Sequence, residues 1–139
     1  MDGEDAWIAW VRAQPLENIE YRRKIDAERI DLIAGIHPRH LAKPEEANAR
    51  VAHRMGAAAV ALGFPCEERV IETIASVRKA APDARIVLSG FTNHENAGRL
   101  LALADGAFVG ACFERCGRGG ANEKDRVEAY MEIVRRVES

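Results

Sequence analysis

The chain has 139 residues, of which 47% are hydrophobic, so it holds enough apolar side chains for a real core and is too short for more than one ordinary domain. A complete eight-stranded β/α barrel needs roughly 200 to 250 residues, so any barrel pattern found here is about half of one. Lys and Arg number 20 against 22 Asp and Glu, a net charge of -2 that lacks the basic excess of a nucleic-acid binder.

The start, Met1-Asp-Gly-Glu-Asp5, is acidic, and no apolar run reaches the ~18 residues of a membrane span, so a cytoplasmic protein is expected. Trp7 to Val11 reads as a strand, although Trp7 and Trp10 would share a face on a helix and there could anchor a subunit contact or sit in the core. Pro15 to Ile25 is helical. Residues 1–29 thus form an N-terminal strand and helix segment of a single domain spanning 1–139, and 30–139 hold four β/α units. Ile30 to Ile36 is a short apolar run ahead of Pro38, as a buried parallel strand should be. Pro44 with Glu45 and Glu46 opens a helix that Arg50, His53 and Arg54 complete before Gly56.

Ala57 to Gly63 is alanine-rich but too short for a helix between Gly56 and Pro65, and it sits where a strand is due. Glu67 to Ala81 sets Val70, Ile71, Ile74, Val77 and Ala81 on one helical stripe. Arg85 to Ser89 reads as a strand. Thr92-Asn93-His94-Glu95 has the spacing of a capping box and precedes a helix bearing Ala97, Leu100, Leu101 and Ala104. Ala107 to Gly110 is the last strand. After the glycine-rich stretch 116–120, Val127, Tyr130, Met131, Val134 and Val137 line one face of a terminal helix. The alternation predicts an α/β fold with a parallel sheet and right-handed crossovers.

Ligands of parallel α/β sheets bind at the C-terminal ends of the strands. In chain order these ends offer His37, Arg39 and His40, then Cys66 and Glu67, then Ser89, Thr92, Asn93 and His94, then Cys112, Glu114, Arg115 and Cys116. Ser89-Gly90 and Gly110-Ala111 follow adjacent strands, and backbone N–H groups unshielded by a Cβ could there surround a phosphate. The competing reading is that both glycines only permit tight turns. Arg115 and Arg118 would add a bidentate clamp or belong to a solvated loop. His37 is a general acid/base candidate, since imidazole titrates near neutrality.

Cys66, Cys112 and Cys116 with His37 make a zinc set a weaker alternative, because thiolate and imidazole are suitable donors but the spacing is not that of a structural knuckle. Cys66 stands at a helix start beside Glu67 and Glu68, where dipole and carboxylates oppose each other, so an inert thiol is expected. No other cofactor is indicated.

Leu88-Ser-Gly-Phe-Thr-Asn-His-Glu-Asn96 followed by Arg99-Leu-Leu-Ala-Leu-Ala-Asp-Gly-Ala-Phe-Val-Gly110 resembles the closing strands of ribulose-phosphate-binding TIM barrels, and among these the BtpA family, which includes SgcQ-like members of secondary metabolism. Glu20-Tyr-Arg-Arg-Lys24 is similar to that family's Tyr-Arg helix, and Ile36-His-Pro-Arg-His40 to its strand-five Asp-Val-His-x-Lys-His motif. Gly35 stands in place of the family's Asp, Arg39 of its Lys, Leu62 of a Thr and Glu114 of a Lys. The resemblance covers about Pro15 to the end.

It implies a parallel β/α half-barrel, the last four or five units of a TIM barrel, completed by a second copy or by a separate chain supplying the N-terminal half. The sheet would have open edges and an exposed inner face. A phosphorylated small molecule, a sugar phosphate or a nucleotide, would be held by Ser89, Gly90, Gly110, Ala111 and Arg115. His37 and His40 would move protons beside Arg39, with Asn93 or Glu114 orienting. The competing class is a non-catalytic assembly or regulatory subunit that keeps the barrel scaffold, and the altered strand-five and strand-six positions favour it. An open flavodoxin-like sheet is the alternative fold at this length.

Overall fold

The computed structural model describes residues 3–6, 20–36, 45–116 and 119–139. Five parallel strands form one sheet in the order of the chain: β1 (Gly3–Ala6), β2 (Asp31–Gly35), β3 (Ala59–Leu62), β4 (Ile86–Leu88) and β5 (Gly106–Ala107). Between and after them run α1 (Glu45–Arg54), α2 (Glu67–Ala80), α3 (Ala97–Leu101) and α4 (Lys124–Glu138). A flavodoxin-like sheet reverses its strand order at a switch point. This sheet never does, so the crossovers wind in one sense as in a β/α barrel, and five strands cannot close one. The open doubly wound alternative is thereby set aside.

Strand pleating divides the apolar residues into two layers. Ala34, Ile36, Val60, Leu62, Ile86 and Leu88 point one way and pack with Ala49 and Ala52 of α1, Val70, Ile74 and Val77 of α2, and Leu100 of α3. The opposite face carries Ile33, Ala59, Ala61 and Val87 in a second cluster. These four are 1 to 6% exposed, so the expectation of an exposed inner face fails at these positions.

In α2 the buried stripe is Val70, Thr73, Ile74 and Val77, while Ile71, expected inside, is exposed at the stripe's margin. Three ion pairs tie the outer layer together. Arg69 reaches Glu45 at 3.1 Å and lies 4.5 Å over the Phe64 ring, Arg99 holds Glu67 through two bonds of 2.6 and 2.9 Å, and Arg78 meets Asp105 at 2.7 Å. The Asp105 carboxylate also accepts the Ile86 N–H at 2.7 Å, and Arg78 donates to the Ala84 carbonyl, so one ion pair fixes the entry to β4.

At the other end of the chain, β5 is Gly106 and Ala107, so of the expected run from Ala107 to Gly110 only Ala107 is strand, and Phe108 N–H makes the last bond to the Leu88 carbonyl before the backbone turns away. On α4 only Tyr130 is buried. Val127, Val134 and Val137 are half-buried and Met131 is 40% exposed, because no further element flanks this helix among the described residues. The expected strand from Trp7 to Val11 lies outside the described residues, and β1 precedes it. Residues 20–24 are helical as expected, and Arg22 donates to the Ile30 carbonyl at 2.6 Å, tying that turn to the start of β2. Among the described residues no helix is long and apolar enough to cross a membrane.

Candidate functional site

Three strands, β2, β4 and β5, hand one more hydrogen bond to a neighbour beyond their ends: Ile36 N–H to the Ala61 carbonyl, Ser89 N–H to Leu62 and Phe108 N–H to Leu88. These bonds align the following loops side by side at the C-terminal rim. Between them lies a cleft of about 840 Å³. Ser89, Gly90, Asn93, Gly110, Ala111 and Glu114, singled out in the sequence, all line it, together with Pro65, Phe91, Thr92, Asn96, Phe108, Val109 and Cys112.

Along these two loops the amides of Gly90, Phe91 and Thr92 after β4, and of Val109, Gly110 and Ala111 after β5, have no acceptor among the described residues; Gly90, Phe91, Gly110 and Ala111 flank the two glycines singled out in the sequence. A Cβ built on Gly90 or Gly110 would meet nothing within 4 Å, so the space beside both is open. Gly90 has φ 115°, a conformation that favours glycine, and the tight-turn reading is therefore also correct for it. Ser89 differs from the expectation in one respect. Its amide is taken by Leu62, so it has only its hydroxyl to offer. These unpartnered amides belong to loops and not to a helix start, since α3 begins only at Ala97 and is a single short turn.

The expected capping box is not formed. Thr92 is 7% exposed, and its hydroxyl has no partner among the described residues. Asn93 does the capping work instead: its Oδ1 accepts from the Glu95 and Asn96 amides at 2.8 and 3.1 Å, and Asn96 Oδ1 accepts from the Asn93 amide at 2.8 Å. An Asn side chain that accepts from the amide two residues on forms such a turn by itself. Asn93 is thus a turn former whose oxygen is committed. Glu114 likewise lines the cleft, but its carboxylate accepts the Gly119 amide.

Arg115 is not in the cleft. Its Nε donates to Glu123 at 2.8 Å, and Arg126 reaches the same carboxylate at 2.8 Å. The Arg115 side-chain bond, helped by the Arg115 and Arg126 charges, lowers the Glu123 pKa against the opposing effect of burial. No Lys or Arg lines the cleft among the described residues, so the clamp expected from Arg115 is absent.

Cys112 lines the cleft with its thiol pKa raised by burial, which keeps the thiol protonated. Cys66 instead donates to Glu68 at 3.1 Å, and Cys116 is exposed. Among the described residues no group of three or more His, Cys, Asp or Glu is placed to hold a metal ion, so the three cysteines do not converge as the zinc alternative required. His37, Arg39 and His40, like Arg118, lie outside the described residues.

Three features of this rim went unread in the sequence. Gly63 sits where a Cβ would stand 3.0 Å from Ser89 Oγ and 3.4 Å from Phe91 Cδ2, so its bareness makes room for both. Phe91 has φ 60°, rare for a bulky residue, and is 54% exposed. Beneath the cleft, His94, Phe113 and Tyr130 pack edge to face at 5.3 to 6.4 Å, and His94 Nε2 lies 2.7 Å from the Arg126 carbonyl. The exposure of Phe91 and Phe108, the latter 48%, had no signal in hydropathy.

No protein-family model and no curated protein matches the sequence. Among solved structures, the native KDPGal structure is similar at 19% identity with a TM-score of 0.61, covering 84% of this chain and 53% of that one. Phosphoribosyl anthranilate isomerase from Thermococcus kodakaraensis is similar at 21% identity with a TM-score of 0.56, covering 83% of this chain and 57% of that one. The chain spans about half the length of each. Neither is a BtpA protein. With the strand order, these likenesses give the fold: a parallel half of a TIM-type β/α barrel.

Proposed function

We propose that this chain is the phosphate-holding half of a β/α-barrel protein and that the rim cleft binds a phosphorylated small molecule. The observation that carries the reading is a pair of loops lining one cleft in which four amides beside the glycines, Gly90, Phe91, Gly110 and Ala111, have no acceptor among the described residues. Backbone amides in such a concavity suit an anion without needing a cationic side chain. The solved neighbours add a parallel, since one of them is named for a phosphoribosyl substrate. Ser89 would add its hydroxyl. The resemblance to the BtpA family supports the same reading, because its most specific residues, Leu88 to Gly110, include three of these four amides.

A second reading, a binding or assembly subunit without catalysis, is favoured by the only carboxylate lining the described cleft, Glu114, being engaged with Gly119. In the catalytic reading His37 and His40 supply the proton transfers. The open edges at β1 and β5 suit further β/α units, from a second copy or another polypeptide, completing the barrel. Titration with inorganic phosphate, followed by amide chemical shifts, tests the binding claim. Gly90, Phe91, Gly110 and Ala111 are expected to move together, and Gly110→Asp, which sets a carboxylate in the open space, to abolish the shifts while leaving the fold intact. Unmoved loop amides, or equal binding by Gly110→Asp, would remove the proposal.

A further inference from the structure

The non-phosphate part of the cleft has a composition of its own. Its lining holds two half-exposed phenyl rings, Phe91 and Phe108, with Pro65 and Val109, and few groups that could bind sugar hydroxyls. The Asn93 oxygen is committed to turn amides, Asn96 gives its oxygen to the Asn93 amide and its NH2 to the Phe91 carbonyl, and Glu114 is engaged with Gly119. A polyhydroxylated ligand bound here would leave most of its hydroxyls facing hydrocarbon, which disfavours binding.

The rings themselves are held out. Phe91 keeps a left-handed backbone conformation that is costly for a bulky side chain, and such strain persists where the surrounding structure imposes it. Gly63 supplies the bare surface that lets the Phe91 ring edge lie over the end of β3, and Phe108 stands on the next loop, one residue beyond β5. The chain's other two phenylalanines face inward: Phe64 is 4% exposed and Phe113 packs on Tyr130. Two aromatic faces thus lie beside four free amides in one cleft, the combination that suits a flat ring and an anion on one ligand.

We infer that the ligand is a phosphate ester carrying an aromatic or heteroaromatic ring, with the ring seated against Phe91 and Phe108 and the phosphate on the loop amides. This rests on the proposed phosphate site and narrows it, setting plain sugar phosphates aside. The test uses four probes on the 139-residue chain by NMR titration: inorganic phosphate, glycerol phosphate, phenyl phosphate and benzyl alcohol. Phenyl phosphate is expected to bind about tenfold or more tightly than glycerol phosphate, in line with stacking on aromatic side chains. Phe108→Leu, which keeps apolar bulk and leaves the anion-holding amides untouched because the Phe108 amide bonds the Leu88 carbonyl, should reduce that preference by about threefold or more while inorganic phosphate binds within about twofold of the parent.

Equal affinities for the two esters, or a preference unchanged in Phe108→Leu, would overturn the inference while the phosphate site stood. If no phosphate compound bound, the phosphate site would fail and this inference with it. Benzyl alcohol shifting only the Phe91 and Phe108 signals in that case would identify the rings as an apolar surface without an anion site.

Discussion

Replacing Gly63 by alanine asks whether this position is kept bare for the cleft. The new Cβ would stand 3.0 Å from Ser89 Oγ, 3.4 Å from Phe91 Cδ2 and 3.5 Å from the Ser89 carbonyl carbon. Gly63 does not occupy the left-handed region, so alanine fits the backbone and removes unfolded-state freedom, a stabilisation of about 0.4 to 1 kcal/mol. Against it stands overpacking, which costs ~1 to 3 kcal/mol where backbone must shift and least where a side chain can turn. Here the closest atom is a hydroxyl on one rotatable bond, and the backbone atom is at ordinary contact distance. The two effects nearly cancel, leaving a net loss of about 0 to 1 kcal/mol, or at most ~4 °C in melting temperature for a domain of this size.

Binding should respond more strongly. Ser89 is turned from its place, and a hydrogen bond to a charged group contributes ~1.5 to 3 kcal/mol, so phosphate affinity falls by about tenfold or more. Thermal melting and phosphate titration on the same sample check both halves. A melting temperature lowered by more than ~10 °C would show that the Ser89 main chain, and not its hydroxyl, abuts Gly63. Unchanged phosphate affinity would refute the placement of Ser89 in the anion site.

Two further outcomes follow from the ion pair below β4 and from the buried phenol. Burial acts to raise the Asp105 pKa, but the Ile86 amide and Arg78 outweigh it and hold the carboxyl below its ordinary value of 3.8. Its contribution is therefore complete above the unfolded value and is lost as pH falls through the folded one. Denaturation followed from pH 6 to pH 2 should show Asp105→Asn losing its deficit at the acid end, with a neutral-pH deficit of about 1 kcal/mol after solvent screening of this part-exposed pair. A deficit that persists unchanged at pH 2 would contradict it. Tyr130 is 2% exposed and burial raises its pKa, while the neighbouring Thr92 hydroxyl acts in the opposite sense without forming a hydrogen bond of normal geometry to it. Tyr130→Phe should leave stability unchanged or raise it by up to ~1 kcal/mol in urea denaturation, and a loss above ~1 kcal/mol would reveal a partner for that oxygen.

The sheet was legible because its signals are local. Ile30 to Ile36, Ala57 to Gly63 and Arg85 to Ser89 are short apolar runs closed by Gly or Pro, and each contains an observed strand. The α2 and α4 stripes follow from their 3.6-residue spacing. What the sequence concealed depends on geometry set elsewhere. Thr92 and Glu95 have capping-box spacing, yet Asn93 takes the turn because the helix starts only at Ala97. Arg115 looked free for an anion until the chain folded Glu123 back beside it. Phe91 is hydrophobic by type and exposed by a backbone angle that no periodicity encodes. The candidate anion loops were visible because glycine beside a strand end is itself a statement about backbone, whereas the aromatic shelf was not.

The unbroken chain order of the strands separates two kinds of position along the polypeptide. Three short windows, 63–66, 89–93 and 108–112, supply most of the surface a small molecule would touch, and the helices between them carry the packing. Recognition can therefore drift, or be redesigned by cassette exchange, one window at a time while the scaffold is inherited unchanged.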